Sequence, residues 1–578
     1  MCSLGLFSLN FLNDRFLLSA KFTHFFTQDM FFHMVWAKII SFIMVGFLMY
    51  AMATRDEIDR RRFISAFGIG TAAAFAGCLG TEPDEGSDEL VVTSSGYPDT
   101  IHPLEHLDTE GYFVSQWTYS SLTRMDHELN VQPDLATDWE PENDGENWTF
   151  ELREGVTFNH NDSEVVADDV KATFETIYDP DSEYPGKGDM GDIDDIEVVD
   201  DHTVVFNLSS PDGALPGKLA GEFGRIMPKE TLENDIDAMH NDTYGSGPFE
   251  LEEIEEGSHI TVTAVDDFYF EDEEGNPLPH ADRVTLQIYP ETSTEVNALE
   301  TGSSHIMDTV PSNQFDRLDD NSDIDAIEVE GGWIFPVVMR TVEEPFDDNR
   351  VRDAFKFAYD KEEMLEIVVD GLGAPGQDNL LGPAHQHWTD IGDPYGPGAQ
   401  PERAEELLEE AGYGDGLELD DPLYATAQRT PETGETAVLL QEQMSRVGVE
   451  FEIEEVSWDR FLSEVAGTAP FYMNSYGMRP VEETMFGLLA HSDGAWNREH
   501  IPPEYEDEFD QTLENAIATP DSEEREAYLE ECSRIMQQQG GLLVPFYASR
   551  LTAASTEIEN YEPDPGGLGL HIQEVNHN

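Results

Sequence analysis

The chain has 578 residues, with 121 Asp or Glu against 30 Lys or Arg, so its formal net charge is −91. This length allows about three to five domains, and three cysteines are too few for a scaffold stapled by disulfides. Nucleic acid is not an expected partner, because a phosphate backbone requires a basic face on the protein.

The acidic surplus is spread along the chain after about residue 80 rather than gathered in one tail. Aromatic residues make up 10% of the chain and apolar residues recur with regular spacing, which argues against disorder. The acids must then lie on the surface, where molar salt screens their repulsion by shortening the Debye length to about 3 Å. We therefore predict a salt-adapted, halophilic protein.

Residues 1–51 form an apolar extension that does not share this acidic character. The stretch from Phe31 to Met52 has about the length that a bilayer-spanning helix requires. Two interpretations stay open, a membrane span and a mis-assigned start of translation. The second is favoured because a self-sufficient leader begins at Met52.

Residues 52–77 resemble a twin-arginine lipoprotein signal, with Arg60 and Arg61 ahead of an apolar stretch. The small residues before Cys78 resemble a lipobox, which predicts that Cys78 is lipidated after cleavage. Residues 78–88 are polar and are expected to form a tether. The leader thus predicts a protein held by a lipid anchor at the extracellular face of the cell membrane.

From residue 89 onward, short β-rich segments alternate with amphipathic helices, a pattern typical of α/β folds. The predicted strands are Glu89 to Ser94, Trp148 to Leu152, Thr203 to Leu208, His259 to Val265, Val284 to Tyr289, Phe451 to Val456 and Leu542 to Tyr547. The predicted helices run from Ala167 to Ile177, from Arg350 to Tyr359 and from Pro401 to a stop at Gly412. A further helix is predicted to bury Cys532 as an inert thiol.

Motifs that carry chemistry are weak or missing. The glycines from Gly371 to Gly376 have dinucleotide spacing, but a loop-like segment follows where a helix is required. His385 and His387 have a spacing compatible with metal, although a loop beside Pro383 is the preferred interpretation. Zinc-protease, serine-hydrolase and phosphate-loop motifs are absent. No catalytic residue, metal or cofactor is predicted.

A series of segments resembles, in order, the extracellular solute-binding proteins of the peptide- and nickel-binding family (family 5), in a haloarchaeal form. These proteins are the capture components of ABC importers. The matching segments are Trp148 to Phe158, Val166 to Val170, Val198 to Phe206, Gly245 to Phe249, Ala298 to Gly302, Pro345 to Lys361, Ala404 to Gly412, Gln441 to Gly448 and Trp496 to Arg498.

The resemblance implies a two-lobed α/β fold of the periplasmic-binding-protein type II, a clamshell with an enlarged first lobe. The first lobe would combine residues 89–335 with 546–578, and the second would be residues 336–545. Hinge closure on a ligand distinguishes the loaded protein from the empty one.

The resemblance also places candidate ligand-binding residues at the cleft, although each aromatic among them has ordinary core packing as an alternative. They are Tyr97 and Trp117 in the first lobe, Trp333 at a crossover, and Tyr476, Arg479 and Trp496 in the second lobe.

One departure from the family pattern concerns the ligand's α-ammonium group. Peptide binders typically place an aspartate after the strand near Tyr472, but this chain has Arg479 there, a planar cation suited to a carboxylate or phosphate. Glu482 or Glu483 would replace the aspartate after a small shift of the loop.

The expected function is therefore extracellular capture of a di- or oligopeptide and its delivery to an ABC permease and ATPase. One alternative keeps the fold but changes the ligand to a nickel chelate, a sugar or an anionic metabolite. The others are a membrane-anchored ligand sensor and a surface hydrolase.

Overall fold

The computed structural model describes residues 89–578, except 183, 189, 429, 498–499, 568–569 and 578. All described residues belong to one compact unit, Pro83–Asn578. The apolar extension, Arg60 and Arg61 of the export signal, Cys78 and the tether lie outside the described residues and stay predictions. Within the described part of the chain, every helix is too short or too polar to cross a bilayer.

The largest sheet has eight strands. Glu89–Ser94 lies at its centre and pairs in parallel with both neighbours, Arg283–Ile288 and Ile306–Met307, whereas the outer strands pair antiparallel. In spatial order the strands are Ile324–Ile334, Phe546–Ser555, Ile306–Met307, Glu89–Ser94, Arg283–Ile288, His259–Ala264 and Phe249–Glu255, with Gly373–Pro375 added beside Phe546–Ser555.

A four-stranded antiparallel sheet packs under the helix Ala167–Ile177. Its strands in spatial order are Ala136–Glu142, Asn147–Leu152, Thr203–Leu208 and Ile193–Asp200. Val204, Phe206 and Leu208 alternate with more exposed residues, so one face of the sheet is buried against Phe174 of the helix. We call the part that contains this sheet and the eight-stranded sheet the first lobe.

The second lobe is built on a five-stranded sheet. Its strands in spatial order are Ile453–Glu455, Leu423–Ala425, Phe471–Met473, Val337–Met339 and Leu542–Leu543. Three separate strand pairs complete the β structure: Thr123–Met125 with Val131–Pro133, Leu417–Glu418 with Val449–Glu450, and Ile558–Glu559 with Asn576–His577.

Helices surround these sheets. In chain order they are Thr109–Thr118, Ala167–Ile177, Leu215–Leu219, Lys229–Asn234, Thr292–Glu300, Ser312–Asp319, Asn349–Ala358, Lys361–Val368, Pro401–Ala411, Pro431–Ser445, Trp458–Arg460, Glu482–Leu489, Pro503–Ile517 and Ser522–Gln539. Aspartate side chains at positions 108, 348, 360 and 521 accept a backbone N–H in the first turn of the helix that follows each of them.

The chain passes between the lobes twice. Ile324–Ile334 belongs to the eight-stranded sheet and Val337–Met339 to the five-stranded sheet, while Leu542–Leu543 and Phe546–Ser555 make the return passage. Gly373–Pro375 falls inside the segment predicted for the second lobe, yet it pairs with Phe546–Ser555 of the first-lobe sheet. The two lobes therefore share more than their two crossovers.

Most predicted elements are confirmed. Glu89–Ser94, Thr203–Leu208 and Ala167–Ile177 have the predicted bounds. The single strand predicted from Leu542 to Tyr547 is wrong, because the chain leaves one sheet at Leu543 and enters the other at Phe546. Pro545, which has no N–H to donate, lies at this break.

Two further sequence interpretations concern a loop and a thiol. The glycine-rich segment from Gly371 contributes a strand, Gly373–Pro375, instead of opening a helix, so it is not a dinucleotide loop. Cys532 is fully buried in the helix Ser522–Gln539, and burial raises the pKa of its thiol. The prediction of a buried thiol is confirmed.

Candidate functional site

A loop of residues 475–481, which we call the bridging loop, leaves the second-lobe sheet and reaches the first lobe. It follows the strand Phe471–Met473. Tyr476 N donates to Ile334 O at 3.0 Å, and Ile334 N donates to Tyr476 O at 3.1 Å. This pair of backbone hydrogen bonds fixes the loop against the end of a first-lobe strand, beside the crossover.

An aromatic pocket of about 310 Å³ opens on the second-lobe side of the bridging loop. Its walls combine aromatic rings with aliphatic side chains and a few polar groups, the composition expected of a small-molecule site. The lining residues are Trp458, Phe461, Leu462, Ala466, Asn474, Ser475, Tyr476, Gly477, Arg479, Met485, Leu488, Leu489 and Trp496. The Trp458 and Phe461 rings stack at 5.1 Å.

Arg479 supplies the positive charge of the aromatic pocket. Its guanidinium carbon lies 5.8 Å from the centroid of the Trp496 ring, within the range of a cation–π contact. The guanidinium group thereby lies over an aromatic wall of the pocket.

A polar cavity of about 90 Å³ lies on the first-lobe side of the bridging loop, and Pro480 closes it from the loop. Its other walls come from the first lobe and carry several charged side chains. The lining residues include Tyr112, Gln116, Tyr119, Ser120, Arg124, Asp126, Asp134, Glu222, Arg225, Phe270, Asp564 and His571. At the size of about three water molecules, this cavity accommodates a small polar group.

A smaller connecting cavity of about 50 Å³ lies beside the same loop. Arg479, Pro480 and Val481 line it from the loop, and Glu222 and Phe223 line it from the first lobe. Arg479 is shared with the aromatic pocket, while Pro480 and Glu222 are shared with the polar cavity. All three spaces therefore meet at one loop. The polar and connecting cavities lie between surfaces of both lobes, and the second lobe alone lines the aromatic pocket.

Four of the residues predicted for ligand binding lie at this loop. Tyr476, Arg479 and Trp496 line the aromatic pocket together. Trp333 is 44% exposed, and its ring lies about 3.5 Å from the position that a Cβ on Gly477 would occupy. The Trp333 ring therefore lies against the loop, close enough for van der Waals contact with a side chain at position 477.

The two first-lobe aromatics predicted for the cleft lie elsewhere. Trp117 is 1% exposed and packs in the core, where its Nε1 donates to Leu570 O at 3.2 Å. Tyr97 is half-buried against the same core, and it lines none of the three spaces described above. The helix of Trp117 presents its neighbour Gln116 to the polar cavity instead.

Glu482 and Glu483 are turned inward at the start of the helix Glu482–Leu489. Glu482 accepts a hydrogen bond from His387 N at 2.8 Å and lies 3.2 Å from His387 Nδ1. Glu483 lies 3.2 Å from Arg525 Nε. Neither glutamate lines a cavity at the bridging loop, so the structure does not place them against a ligand's ammonium group.

The partners of Glu482 set its ionisation. Burial by itself raises the pKa of Glu482, but the hydrogen bond and the charge of His387 hold that pKa below its ordinary value. The same hydrogen bond raises the pKa of His387, against the effect of burial. His387 is thus an ion-pair partner beneath the loop, and among the described residues no His, Cys, Asp and Glu side chains are grouped as metal ligands.

Sequence reasoning missed the first-lobe wall of the site, above all Arg124 and Arg225. Basic residues are scarce in this chain, 30 in 578. The sequence did contain one signal, an arginine inside the apolar stretch from Phe223 to Pro228. A cation in such a stretch is expected to be buried, and burying a charge is costly unless the charge has a structural or functional role.

Two lobes joined by two crossovers, with a bridging loop and two cavities between them, define a solute-binding protein of the clamshell class. The family of bacterial extracellular solute-binding proteins, family 5, matches residues 130–497 through its middle region, which is more than half of the chain. The chain belongs to this family.

Individual relatives agree with that assignment. The dipeptide-binding protein of Escherichia coli (strain K12) is 26% identical over 510 residues, which cover 83% of this chain and 93% of that protein. The oligopeptide-binding protein AppA of Bacillus subtilis (strain 168) is 28% identical over 411 residues, covering 66% of this chain and 72% of that protein. A dipeptide-binding protein from Pseudoalteromonas sp. SM9913, solved in complex with Met-Leu, has the same fold, with a TM-score of 0.69 and 23% identity over 85% of this chain and all of that chain.

Proposed function

We propose that this protein captures a di- or oligopeptide between its lobes and delivers it to an ABC permease driven by ATPase subunits. The observation that carries this proposal is the bridging loop, where two cavities lined by both lobes adjoin an aromatic pocket of the second lobe. A ligand that contacts both lobes binds the closed form more tightly than the open form, and this difference in affinity drives closure. The names of the relatives, a dipeptide-binding and an oligopeptide-binding protein, favour peptide as the ligand class.

The test is thermal unfolding of the full chain in molar salt with di- to hexapeptides, nickel chelates, sugars and organic acids. A ligand at one hundred times its dissociation constant adds about 2.7 kcal/mol to the free energy of unfolding, which raises the midpoint. Stabilisation by peptides supports the proposal. Stabilisation by sugars or chelates alone would contradict it and move the protein to another ligand class within the same fold.

We further propose that the protein binds peptide without cleaving it. Binding by hinge closure requires no reacting group, and the two buried glutamates beside the loop are each held by a partner of their own. Mass spectrometry of a stabilising peptide after prolonged incubation should recover it intact. Hydrolysis products that vanish in a single carboxylate variant would favour the surface hydrolase instead.

The proposed location is the extracellular face of the cell membrane, with a lipid on Cys78 after export through the twin-arginine route. Arg60, Arg61 and Cys78 in the sequence support this proposal. In the native cell, Cys78→Ala should release the protein from the membrane fraction into the medium, while Arg60→Lys with Arg61→Lys should retain it inside. A Cys78→Ala protein that stays in the membrane would instead support a span in residues 1–51 and the sensor alternative.

A further inference from the structure

In the part of the chain that the structure describes, the polar cavity is lined by two arginines that have no carboxylate partner. Arg225 is 5% exposed, and among the described residues it forms no ion pair. Its Nη1 donates to Ser121 Oγ at 3.0 Å, but Nε and Nη2 are buried without a hydrogen-bond partner. Burying a guanidinium group whose N–H donors lack acceptors raises the free energy of the folded protein, so the presence of Arg225 here calls for an explanation.

Arg124 adds a second cation to the same cavity. It is half-buried, its Nε also lacks a hydrogen-bond partner, and its guanidinium carbon lies 5.0 Å from the Phe270 ring centroid. On the other side, the Arg225 guanidinium carbon lies 5.3 Å from the Tyr112 ring centroid. Each guanidinium carbon thus lies over an aromatic ring, while Arg124 Nε and Arg225 Nε and Nη2 have no hydrogen-bond partner.

The carboxylates that line the cavity are committed to other groups. Asp134 is close enough to feel the charge of both arginines, but it accepts from Ser121 N and from Tyr269 Oη. Asp126 accepts from Asn130 and Gln132.

The two remaining acids of the cavity have partners behind its wall. Asp564 accepts from Gly566 N and lies 3.7 Å from Arg550 Nη1. Glu222 lies 3.4 Å from His106 Nδ1. The internal acids therefore leave Arg124 Nε and Arg225 Nε and Nη2 without a hydrogen-bond partner.

We propose that the polar cavity is an anion subsite in which Arg225 and Arg124 receive a carboxylate group of the ligand. A carboxylate has three heavy atoms, which suits a cavity the size of about three water molecules, and planar guanidinium groups bind it with paired, charge-assisted hydrogen bonds. The proposal rests on the proposed function, because it assigns to the captured peptide the position of its carboxylate end.

This assignment differs from the sequence-based one. Arg479 was the arginine expected to select an anion, and it packs on Trp496 on the aromatic side of the loop. The ligand's carboxylate then lies on the first-lobe side of Pro480, and its apolar part extends towards the aromatic pocket.

The experiment is isothermal titration calorimetry on the full chain at one fixed molar salt concentration, with two matched probe pairs. The first pair is Ala-Phe and its C-terminal amide. The second is 3-phenylpropionate and 3-phenylpropanamide, which carry no peptide bond between residues and no ammonium group. We expect both carboxylates to bind the unaltered protein at least tenfold more tightly than their amides.

Substitutions of the two cavity arginines test whether these residues cause the preference for a carboxylate over an amide. Arg225→Gln and Arg124→Gln should each reduce the carboxylate preference for Ala-Phe at least fivefold and change binding of the amide much less. Arg317→Gln is the matched control, because Arg317 is an exposed arginine paired with Glu300 away from the cavity. If Arg225→Gln does not fold, Arg124→Gln alone carries the test, since that side chain is only half-buried.

The outcomes separate this inference from the proposed function. Equal binding of Ala-Phe and its amide would overturn the anion subsite and leave peptide capture standing. A preference that survives both cavity variants and disappears in Arg479→Gln would also overturn it. If neither peptide binds but 3-phenylpropionate binds over its amide, the peptide proposal fails while the anion subsite holds.

Discussion

Trp496 is the residue that links the charge of the aromatic pocket to its apolar surface. Its ring forms part of the wall and carries the guanidinium of Arg479 on one face. Trp496→Ala should therefore weaken binding of a ligand with an aromatic side chain, such as Ala-Phe, by about 1–3 kcal/mol through lost apolar contact and a loosened arginine.

Calorimetry with Ala-Phe measures the Trp496→Ala effect, and Val438→Ala provides the control. Val438 is an exposed apolar residue on the helix Pro431–Ser445, and it lines none of the three cavities. Unchanged affinity of a folded Trp496→Ala protein would remove the aromatic pocket from the binding site.

Glu295 makes the stability of the first lobe depend on pH. It is buried in the helix Thr292–Glu300, and burial raises its pKa to about 7, opposed by the Thr93 hydroxyl and assisted by Asp308 and Glu110. The folded protein holds this proton more tightly than the unfolded chain does. The stabilising contribution of protonated Glu295 is therefore fully present below about pH 4.3. This contribution is lost as the pH rises through about 7.

Glu295→Gln should remove that loss, because glutamine keeps the shape of the protonated side chain and cannot ionise. At pH 8 the variant should be more stable by about 3 kcal/mol, and near pH 4 the two proteins should be equal. Urea unfolding across this pH range measures the difference, with the exposed Glu291→Gln as the control. A constant difference at all pH values would show that ionisation of Glu295 is not the cause.

At the scale of single elements, two glycines should respond to the same substitution with opposite sign. Gly412 ends the helix Pro401–Ala411 in the left-handed region, with φ of 101°, where an alanine side chain is strained. Gly487 lies inside the helix Glu482–Leu489, and a Cβ there would have no neighbour within 4 Å.

Gly412→Ala should therefore lower the free energy of unfolding by about 1 kcal/mol, and Gly487→Ala should raise it by about 0.5–1 kcal/mol. Denaturant unfolding of the two variants in parallel measures both effects, and each serves as the control for the other. A shift of the same sign in both would contradict the conformational argument.

Sequence signals predict helices and strands well where the interactions that start, stop or orient them involve residues close in sequence. The Pro401 start and Gly412 stop of one helix, and the alternation from Thr203 to Leu208, can be read without knowing the fold. The break at Val544 and Pro545 was missed because it depends on which of two sheets receives each residue.

Residues of the candidate site could be predicted only where the family resemblance pointed to a position and the residue there was of a type suited to binding. The structure brings the predicted residues Tyr476, Arg479 and Trp496 together in one pocket, because one loop and its neighbours supply them. Trp117 was predicted for the cleft and lies in the core. The apolar helix Thr109–Thr118 has buried residues on most of its surface, so periodicity cannot separate its core face from its cavity face. Arg225 was missed because its environment is assembled from Tyr112 and Ser121, which are distant in sequence.

At the scale of the whole molecule, the net charge of −91 predicts that the lobes are more stable in high salt. Raising the ionic strength from about 0.1 M to 1 M shortens the Debye length from about 10 Å to about 3 Å, which screens exposed acids from one another. The unfolding midpoint in KCl should therefore rise steeply over this interval, because self-repulsion destabilises the compact state.

A charge variant separates screening from a general salt effect on apolar burial. Glu253, Glu255 and Glu256 are exposed around the hairpin that joins Phe249–Glu255 to His259–Ala264. Replacing all three with glutamine relieves repulsion only where salt does not already screen it. The triple variant should thus have a higher midpoint than the unaltered protein at 0.1 M KCl and an equal midpoint at 1 M KCl. An offset that is the same at both concentrations would mean that the glutamates act locally, and it would contradict the prediction that screening of the acidic surface stabilises this protein.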